Sequence, residues 1–343
     1  MFIQTTRQLL RLIPAQLKND GYLQMAWAMI FNMCLLSVAL ISQVSAQSLP
    51  NHIRIIIPFA PGGPTDVMGR LAAESLAQHT KSTVINENRP GANGLVGVNF
   101  MKQGSVDGSN LLFVSSGMIT FSPLLDKALS YDPQKDLVPI ICLAQTDIGI
   151  IVANQVPVNN LKELVALGKN SSSTLSFGSA GHGNILHAYI ELLKDATKIH
   201  LLHVPYKGAS PSFTDVLGGQ ISGMFISVAL AEQAVKSGKV KLLALVGKRN
   251  SSFPDVPTIT EQGFPGVDTL PWFAIMGPRG MTPETVQLVA NSIAPVGDEE
   301  LKRKITAAGS SPLLLTGAPF AQLIKNESAM WSKLITDKKI AWP

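Results

Sequence analysis

Cysteine is nearly absent, at 2 of 343 residues. That excludes a disulfide-stapled scaffold and a cysteine-rich zinc centre. Charge is also scarce, at 15% against 46% hydrophobic residues, which excludes a disordered chain and a charged coiled coil. Lys plus Arg number 28 and Asp plus Glu 23, a formal net charge of +5. The excess is modest and unclustered, so nothing points to a nucleic-acid partner. Beyond residue 50 no apolar run is long enough to span a bilayer, and no repeat with a period of about 20–50 residues recurs. The nucleophile motifs Gly-x-Ser-x-Gly and Ser-x-x-Lys are missing. Mean hydropathy is +0.23, and one N-terminal segment supplies part of it. At roughly 150 residues per domain, the length suggests about two domains.

Residues Met25–Ile41 form an uncharged stretch preceded by Arg7, Arg11 and Lys18. Val44-Ser45-Ala46 follows, with side chains of the size that precedes a cut after Ala46. This order reads as a cleavable secretory signal peptide over residues 1–46. The alternative is an uncleaved anchor, at the lower length limit for spanning. Cys34 lacks the small preceding residues of a lipoprotein site, and there is no twin-arginine pair. Residues 1–46 hold three basic residues and one acid, Asp20, so the mature chain carries 25 basic and 22 acidic residues, net +3. Its one remaining cysteine, Cys142, sits in the apolar run Val138–Leu143. A lone thiol in an oxidising compartment is expected to be buried and inert.

Strand-like and helix-like patterns then alternate. Arg54–Phe59 is a short apolar run ending in Pro and Gly, as a buried parallel strand would. Thr65–His79 carries apolar residues at helical spacing, with Thr65 or Asp66 as a cap. Strands are predicted at Ser82–Glu87 and Asn110–Ser115, with a helix from Gly94 to Gln103 between them. The order βαβαβ favours a doubly wound parallel sheet. A second α/β unit follows, with strands at Ile148–Ala153, Leu175–Gly178, Leu201–Pro205, Gly223–Ile226 and Val240–Val246. Helices at Pro283–Ala294, Glu299–Ala308 and Ala318–Leu334 are too strand-poor for a third sheet and are expected to pack on the first unit.

Ligands of such sheets sit where strands end and loops pass to helices. Three such loops stand out. In Phe59-Ala60-Pro61-Gly62-Gly63-Pro64-Thr65-Asp66, two glycines permit a tight bend, and the following helix aims unpaired N–H groups and its positive end at the loop. That suits an anion such as a carboxylate. Ser176-Phe177-Gly178-Ser179-Ala180-Gly181-His182-Gly183-Asn184 is the equivalent in the second unit. Ser115-Ser116-Gly117-Met118 offers hydroxyls. His200 and His203 lack a third ligand at metal spacing, so no metal site is expected. His187 is expected at the surface or as a cap, and Trp272 and Trp331 in the core. His182 and Ser179 share one tight loop without an orienting acid, which argues against a catalytic pair.

The run from Ile53 to Asp66 resembles the first signature of the Bug/TctC family, the extracytoplasmic solute receptors of tripartite tricarboxylate transporters. Glu87-Asn88-Arg89-Pro90-Gly91-Ala92, Asp107-Gly108 and Tyr131-Asp132-Pro133 resemble further family segments. So do Phe177-Gly178-Ser179-Ala180-Gly181, His203-Val204-Pro205-Tyr206-Lys207-Gly208, Leu217-Gly218-Gly219-Gln220 and Phe253-Pro254-Asp255-Val256-Pro257-Thr258, in order along the mature chain. The resemblance implies an α/β fold of periplasmic binding protein type II, with two doubly wound lobes around a central cleft. Lobe one would comprise residues 47–147 and 246–343, and lobe two residues 148–245. Ligand contacts carried over are Phe59, Ala60, Gly63, Thr65 and Asp66 in lobe one, and Ser179, Ala180, Gly181 and Gly183 in lobe two. Position adds Ser115, Ser116 and His182. Where the family has an acid and an amide, this chain has Ile226 and Ser227, which favours a ligand without an amino group.

The function expected is capture of a small carboxylate in the periplasm for separate membrane permease subunits, by a monomer that needs neither cofactor, metal nor catalysis. Asp147 and Val246 would act as hinges, with closure as a population shift. Two alternatives stand beside it: a carboxylate sensor for a membrane kinase, and a secreted enzyme acting on organic acids with His182 as base.

Overall fold

The computed structural model describes residues 48–125, 129–170 and 175–338, together with Met29. The signal peptide expected over residues 1–46 lies outside the described residues apart from Met29. Among the described residues no helix is long and apolar enough to cross a membrane.

Strand β1 (His52–Ile57) sends Ile53, Ile55 and Ile57 to one face and Ile56 to the other, and all four are buried. Burial on both faces is why this run is apolar without alternation. It pairs in parallel with β2 (Thr83–Asn88) and β3 (Asn110–Ser115). Helix α1 (Pro64–Gln78) lays Met68, Ala72 and Leu76 on the face of Ile53 and Ile57. Helix α2 (Leu95–Lys102) covers the other face through Val98 and Met101. Two short helices, α3 (Ser116–Thr120) and α4 (Ser122–Leu125), follow β3 directly, and α5 (Pro133–Asp136) leads into the long strand β4 (Leu137–Thr146).

The chain then leaves this sheet through Asp147. The second sheet contains β5 (Ile148–Ala153), β6 (Leu175–Ser179), β7 (Leu201–Pro205), β8 (Gly223–Ser227) and β9 (Val240–Leu245) in the order β7-β6-β8-β5-β9. Its helices are α6 (Leu161–Lys169), α7 (Ile185–Thr197), α8 (Ala209–Leu217) and α9 (Val228–Lys236). The chain returns to the first sheet as β10 (Trp272–Pro278), followed by α10 (Pro283–Ile293), α11 (Glu299–Ala307), β11 (Ser310–Thr316) and α12 (Gly317–Lys338). The first sheet is therefore ordered β11-β4-β10-β3-β1-β2.

Parallel pairing covers β1, β2 and β3 in one sheet and β6, β7 and β8 in the other. It stops where the chain crosses between sheets. Strands β1, β3 and β4 all end at the side facing the second sheet. A segment returning from there must enter at those ends, so β10 runs antiparallel to both β3 and β4. The same constraint makes β5 antiparallel to β8 and β9. The final hundred residues thus contribute two strands to the first sheet, where helices alone were expected. Pro271, Gly277, Pro278 and Pro312 disguise them as loop.

Cys142 is fully buried in β4, and burial pushes its thiol well above its ordinary pKa, as an inert side chain requires. Trp272 and Trp331 are core residues, and both donate their indole N–H to Glu327 of α12, Trp331 at 3.2 Å. Burial raises the Glu327 carboxyl to about 7, only partly opposed by the indoles. Its native pKa lies above the unfolded value, so this group's contribution to stability falls as pH rises from about 4.5 to about 7. Glu327→Ala strands both indole donors, costing about 1–3 kcal/mol each. In urea unfolding the loss is expected to be about 2–3 kcal/mol larger at pH 5 than at pH 8, where the wild type already carries the buried charge.

Candidate functional site

The first loop runs from the end of β1 to α1. Gly62 takes φ +80°, a conformation that favours glycine. Its N–H donates to Asp66 Oδ2 at 3.0 Å. Gly63, at φ −82°, caps α1, with Pro64 in the first helical position, where a missing N–H costs nothing. The cap is therefore Gly63 rather than Thr65 or Asp66. In the first turn, the N–H groups of Thr65 and Asp66 have no carbonyl one turn earlier to meet. The Asp66 carboxylate accepts from Arg70 Nε at 2.9 Å and Nη2 at 3.0 Å, and from Asn88 Nδ2 at 2.8 Å. Burial opposes its ionisation, but these bonds outweigh it and hold the carboxyl below its ordinary value. Asp66 thus braces the bend and neutralises Arg70.

The second loop leaves β6 for α7. Gly181 takes φ +140°, and Asn184 caps α7 by accepting the Leu186 N–H at 2.9 Å. Part of this loop's main chain is spent internally. Gly181 N–H donates to Ser179 Oγ at 3.2 Å, and Gly183 N–H to His187 Nδ1 at 3.1 Å. Ser179 Oγ donates to Gly181 O at 3.0 Å and lies 2.6 Å from His203 Nε2. With the hydroxyl proton so used, His203 Nε2 is the donor of that contact.

Both loops border one inner cavity of about 40 Å³. Its walls include Phe59, Ala60, Gly63, Thr65, Ser115, Ala180 and Ser227, so seven of the expected residues meet there from both lobes. Asn184, the last residue of the second loop, is there too, and Thr146, Ile148, Ala209 and Phe273, not singled out in the sequence, complete this part of the wall. Ala209 opens α8, so the starts of α1, α7 and α8 all border the cavity. The Tyr206-Lys207-Gly208 turn ahead of α8 was the available clue. Phe59 and Ala180 also border an outer cavity of about 540 Å³, which holds Gly181 and His182 together with Asn93, Tyr206 and Lys207. Asp66, Ser116, Ser179 and Gly183 lie on neither wall. Asp66 is turned to Arg70 and Asn88, Ser179 and Gly183 hold the loop together from behind, and Ser116 is buried beside Glu327.

The lobes touch across the cleft. Ala60 N–H donates to Lys207 O at 3.1 Å, Ser122 Oγ to Gly183 O at 2.9 Å, and Asn184 Nδ2 to Asn93 Oδ1 at 3.3 Å. At the crossover, Asp147 accepts from Asn250 Nδ2 at 2.8 Å and pairs with Lys248 at 3.3 Å.

Beneath the second loop lie three histidines. His187 and His203 stack with centroids 3.7 Å apart, and His182 is 4.9 Å from His187. Far from being a surface residue, His187 is fully buried. Burial pushes His203 down to about 3, aided by His187 and His182; burial also lowers His187, opposed by Glu191. Both rings are neutral at neutral pH, as the His187 Nδ1 acceptor role demands. Ser179 pairs with His203 rather than His182, and no carboxylate orients a nucleophile here. Among the described residues, no cluster of His, Cys, Asp or Glu has metal-holding geometry.

Two α/β lobes, a shared cavity at their strand ends and chain crossovers between them define the periplasmic binding protein fold. Residues 68–340 match the family described as tripartite tricarboxylate transporter family receptor, TctC, and the chain belongs to that family. It is 30% identical over 302 residues to protein BugT of Bordetella pertussis, covering 86% of this chain and 91% of BugT. It is similar to the solved Rpa4515 of R. palustris with adipate, at TM-score 0.79 and 26% identity, covering 84% of this chain and 98% of that one. It is also similar to MatC of Rhodopseudomonas palustris with bound malate, at TM-score 0.75 and 26% identity, covering 83% and 98%. The family is one of solute-binding receptors, which is not a class of enzymes.

A histidine whose native pKa is depressed costs stability as pH falls below its unfolded value. For His203 the cost grows from about 6.5 down to about 3. His203→Gln keeps a hydrogen-bonding side chain and removes the titration. Its stability relative to wild type, measured by urea unfolding, is expected to improve by about 2 kcal/mol between pH 8 and pH 5.

Proposed function

We propose that the chain is a periplasmic receptor that captures a small carboxylate and presents it, lobes closed, to the membrane permease subunits of a tripartite tricarboxylate-type transporter. The observation that carries this reading is the inner cavity. It is walled by both lobes, bordered by Gly63 and Thr65 at the start of α1, and, among the described residues, lined by no charged side chain. A helix start with its donors unspent is a ready acceptor of a carboxylate. Charge-assisted hydrogen bonds of this kind contribute about 1.5–3 kcal/mol each once water is excluded. Adipate in Rpa4515 and malate in MatC are carboxylates held by the same fold.

In this reading residues 47–147 and 246–343 move as one lobe and residues 148–245 as the other. The hinges are the Asp147 crossover and the return after Val246, where Val246 N–H donates to Ile148 O at 2.8 Å. The ligand is fully contacted only in the closed form, so binding shifts the population toward closure. Delivery to the periplasm follows from the secretory leader read in residues 1–46.

Gly117 tests closure directly. A Cβ placed there would stand 2.9 Å from the Ile185 backbone nitrogen of the other lobe. Gly117→Val is expected to hold the lobes apart while each keeps its own core. Small-angle scattering should report a larger radius of gyration, and the melting-point rise given by a bound carboxylate such as adipate should disappear. A variant as compact as wild type that still responds to the carboxylate would refute the closure mechanism.

A further inference from the structure

The inner cavity's chemistry is more selective than a carboxylate site needs. Its polar atoms besides main chain come from Thr65, Ser115, Thr146, Asn184 and Ser227. Asn184 is largely engaged, its Oδ1 accepting Leu186 N–H and its Nδ2 donating one proton to Asn93 Oδ1. Ser115 is 4% exposed, and its Oγ is buried without a hydrogen-bond partner. Thr146 Oγ1 and Ser227 Oγ lie 3.3 Å apart and share one hydrogen bond, which leaves the second hydroxyl proton of the pair unspent. These three residues end β3, β4 and β8, with β10 between β3 and β4, so they line the cavity as two hydroxyl groups, Ser115 on one side and the Thr146–Ser227 pair on the other, drawn from both lobes. Facing them are Ile148, Ile185, Leu186, Pro271 and Phe273, which accept no hydrogen bond through their side chains.

An ammonium group brings three donors and a charge. Among the described residues, no wall of this cavity supplies a carboxylate to meet it, and the Asp66 carboxylate is already filled by Arg70, Asn88 and Gly62. A buried cation without a partner is strongly penalised. A neutral oxygen, by contrast, meets what the cavity wall lacks, since the Ser115 hydroxyl and, across β10, the spare proton of the Thr146–Ser227 pair each need an acceptor. The space agrees. At roughly 10–15 Å³ per water-sized group, the 40 Å³ cavity takes about three such groups, a carboxylate and one further oxygen. The rest of the ligand passes Phe59 and Ala180 toward the outer cavity.

We infer that the receptor selects acids carrying a carbonyl or hydroxyl oxygen next to the bound carboxylate, and rejects the corresponding amino acids, with Ser115, Thr146 and Ser227 as specificity-determining residues. This rests on the carboxylate reading above.

The test is calorimetry on the full mature chain with four matched acids: butanoate, 2-oxobutanoate, 2-hydroxybutanoate and 2-aminobutanoate, with adipate as a control. The oxo and hydroxy acids are expected to bind at least tenfold tighter than butanoate, and the amino acid weakest of all. Ser115→Ala and Ser227→Ala should each shrink the ratio of oxo-acid to butanoate affinity at least threefold. Equal affinity for the amino and oxo acids, or ratios unmoved by both variants, overturns the inference while leaving the carboxylate reading intact. Binding of adipate alone overturns it too. Failure of all five acids overturns both.

Discussion

The constraint on which the rest depends is directional: the strands β1, β3, β4, β6 and β8 all finish at the same interface. Parallel strands deliver their loops and the starts of the following helices to one end of a sheet. Two sheets set end to end therefore pool their unsatisfied helix donors in one place. The chain reaches the second sheet only from the end of β4, and the return sets β10 antiparallel. Thr146 at the end of β4 and Ser227 at the end of β8 become hydrogen-bonded neighbours because of this, and Ser115 at the end of β3 lines the same cavity. No local preference of those residues brings them together.

Within that frame the two Gly-rich loops are built differently. The first is braced by a charged side chain, with Asp66 gathering Arg70, Asn88 and the Gly62 N–H while the α1 donors stay open. The second is braced by neutral imidazoles and a serine hydroxyl, which take up the Gly181 and Gly183 donors. The grip on an anion is consequently lopsided, and lobe two contributes mainly shape, hydroxyls and the contacts that accompany closure. The two buried titrating groups also oppose one another. Acid relaxes Glu327 and strains the histidine stack over an overlapping pH range, so these two contributions partly cancel.

Much of this was legible in advance. The apolar runs of β1 and β3, the glycine bends and the Pro-led start of α1 each carry their structure in short stretches of sequence. The failures share a cause. Strands β10 and β11 contain or abut prolines, and only their place in the sheet makes that tolerable. The hydroxyl set Ser115, Thr146 and Ser227 draws on positions far apart in the chain, of which Thr146 was not singled out. Asp66 was expected as a ligand contact, and its commitment to Arg70 and Asn88 instead depends on side-chain geometry. His187 looked like a surface residue because helical spacing does not reveal that β7 places His203 against its ring.

The bond from Ala60 N–H to Lys207 O joins the lobes through main chain alone. Such a latch is indifferent to the identity of the side chains that carry it. It still demands close approach, because a Cβ at Gly208 would stand 3.1 Å from the Ala60 nitrogen. In the proposed reading, shutting and choosing a ligand fall to different atoms: main chain at the latch, hydroxyl side chains on the cavity wall.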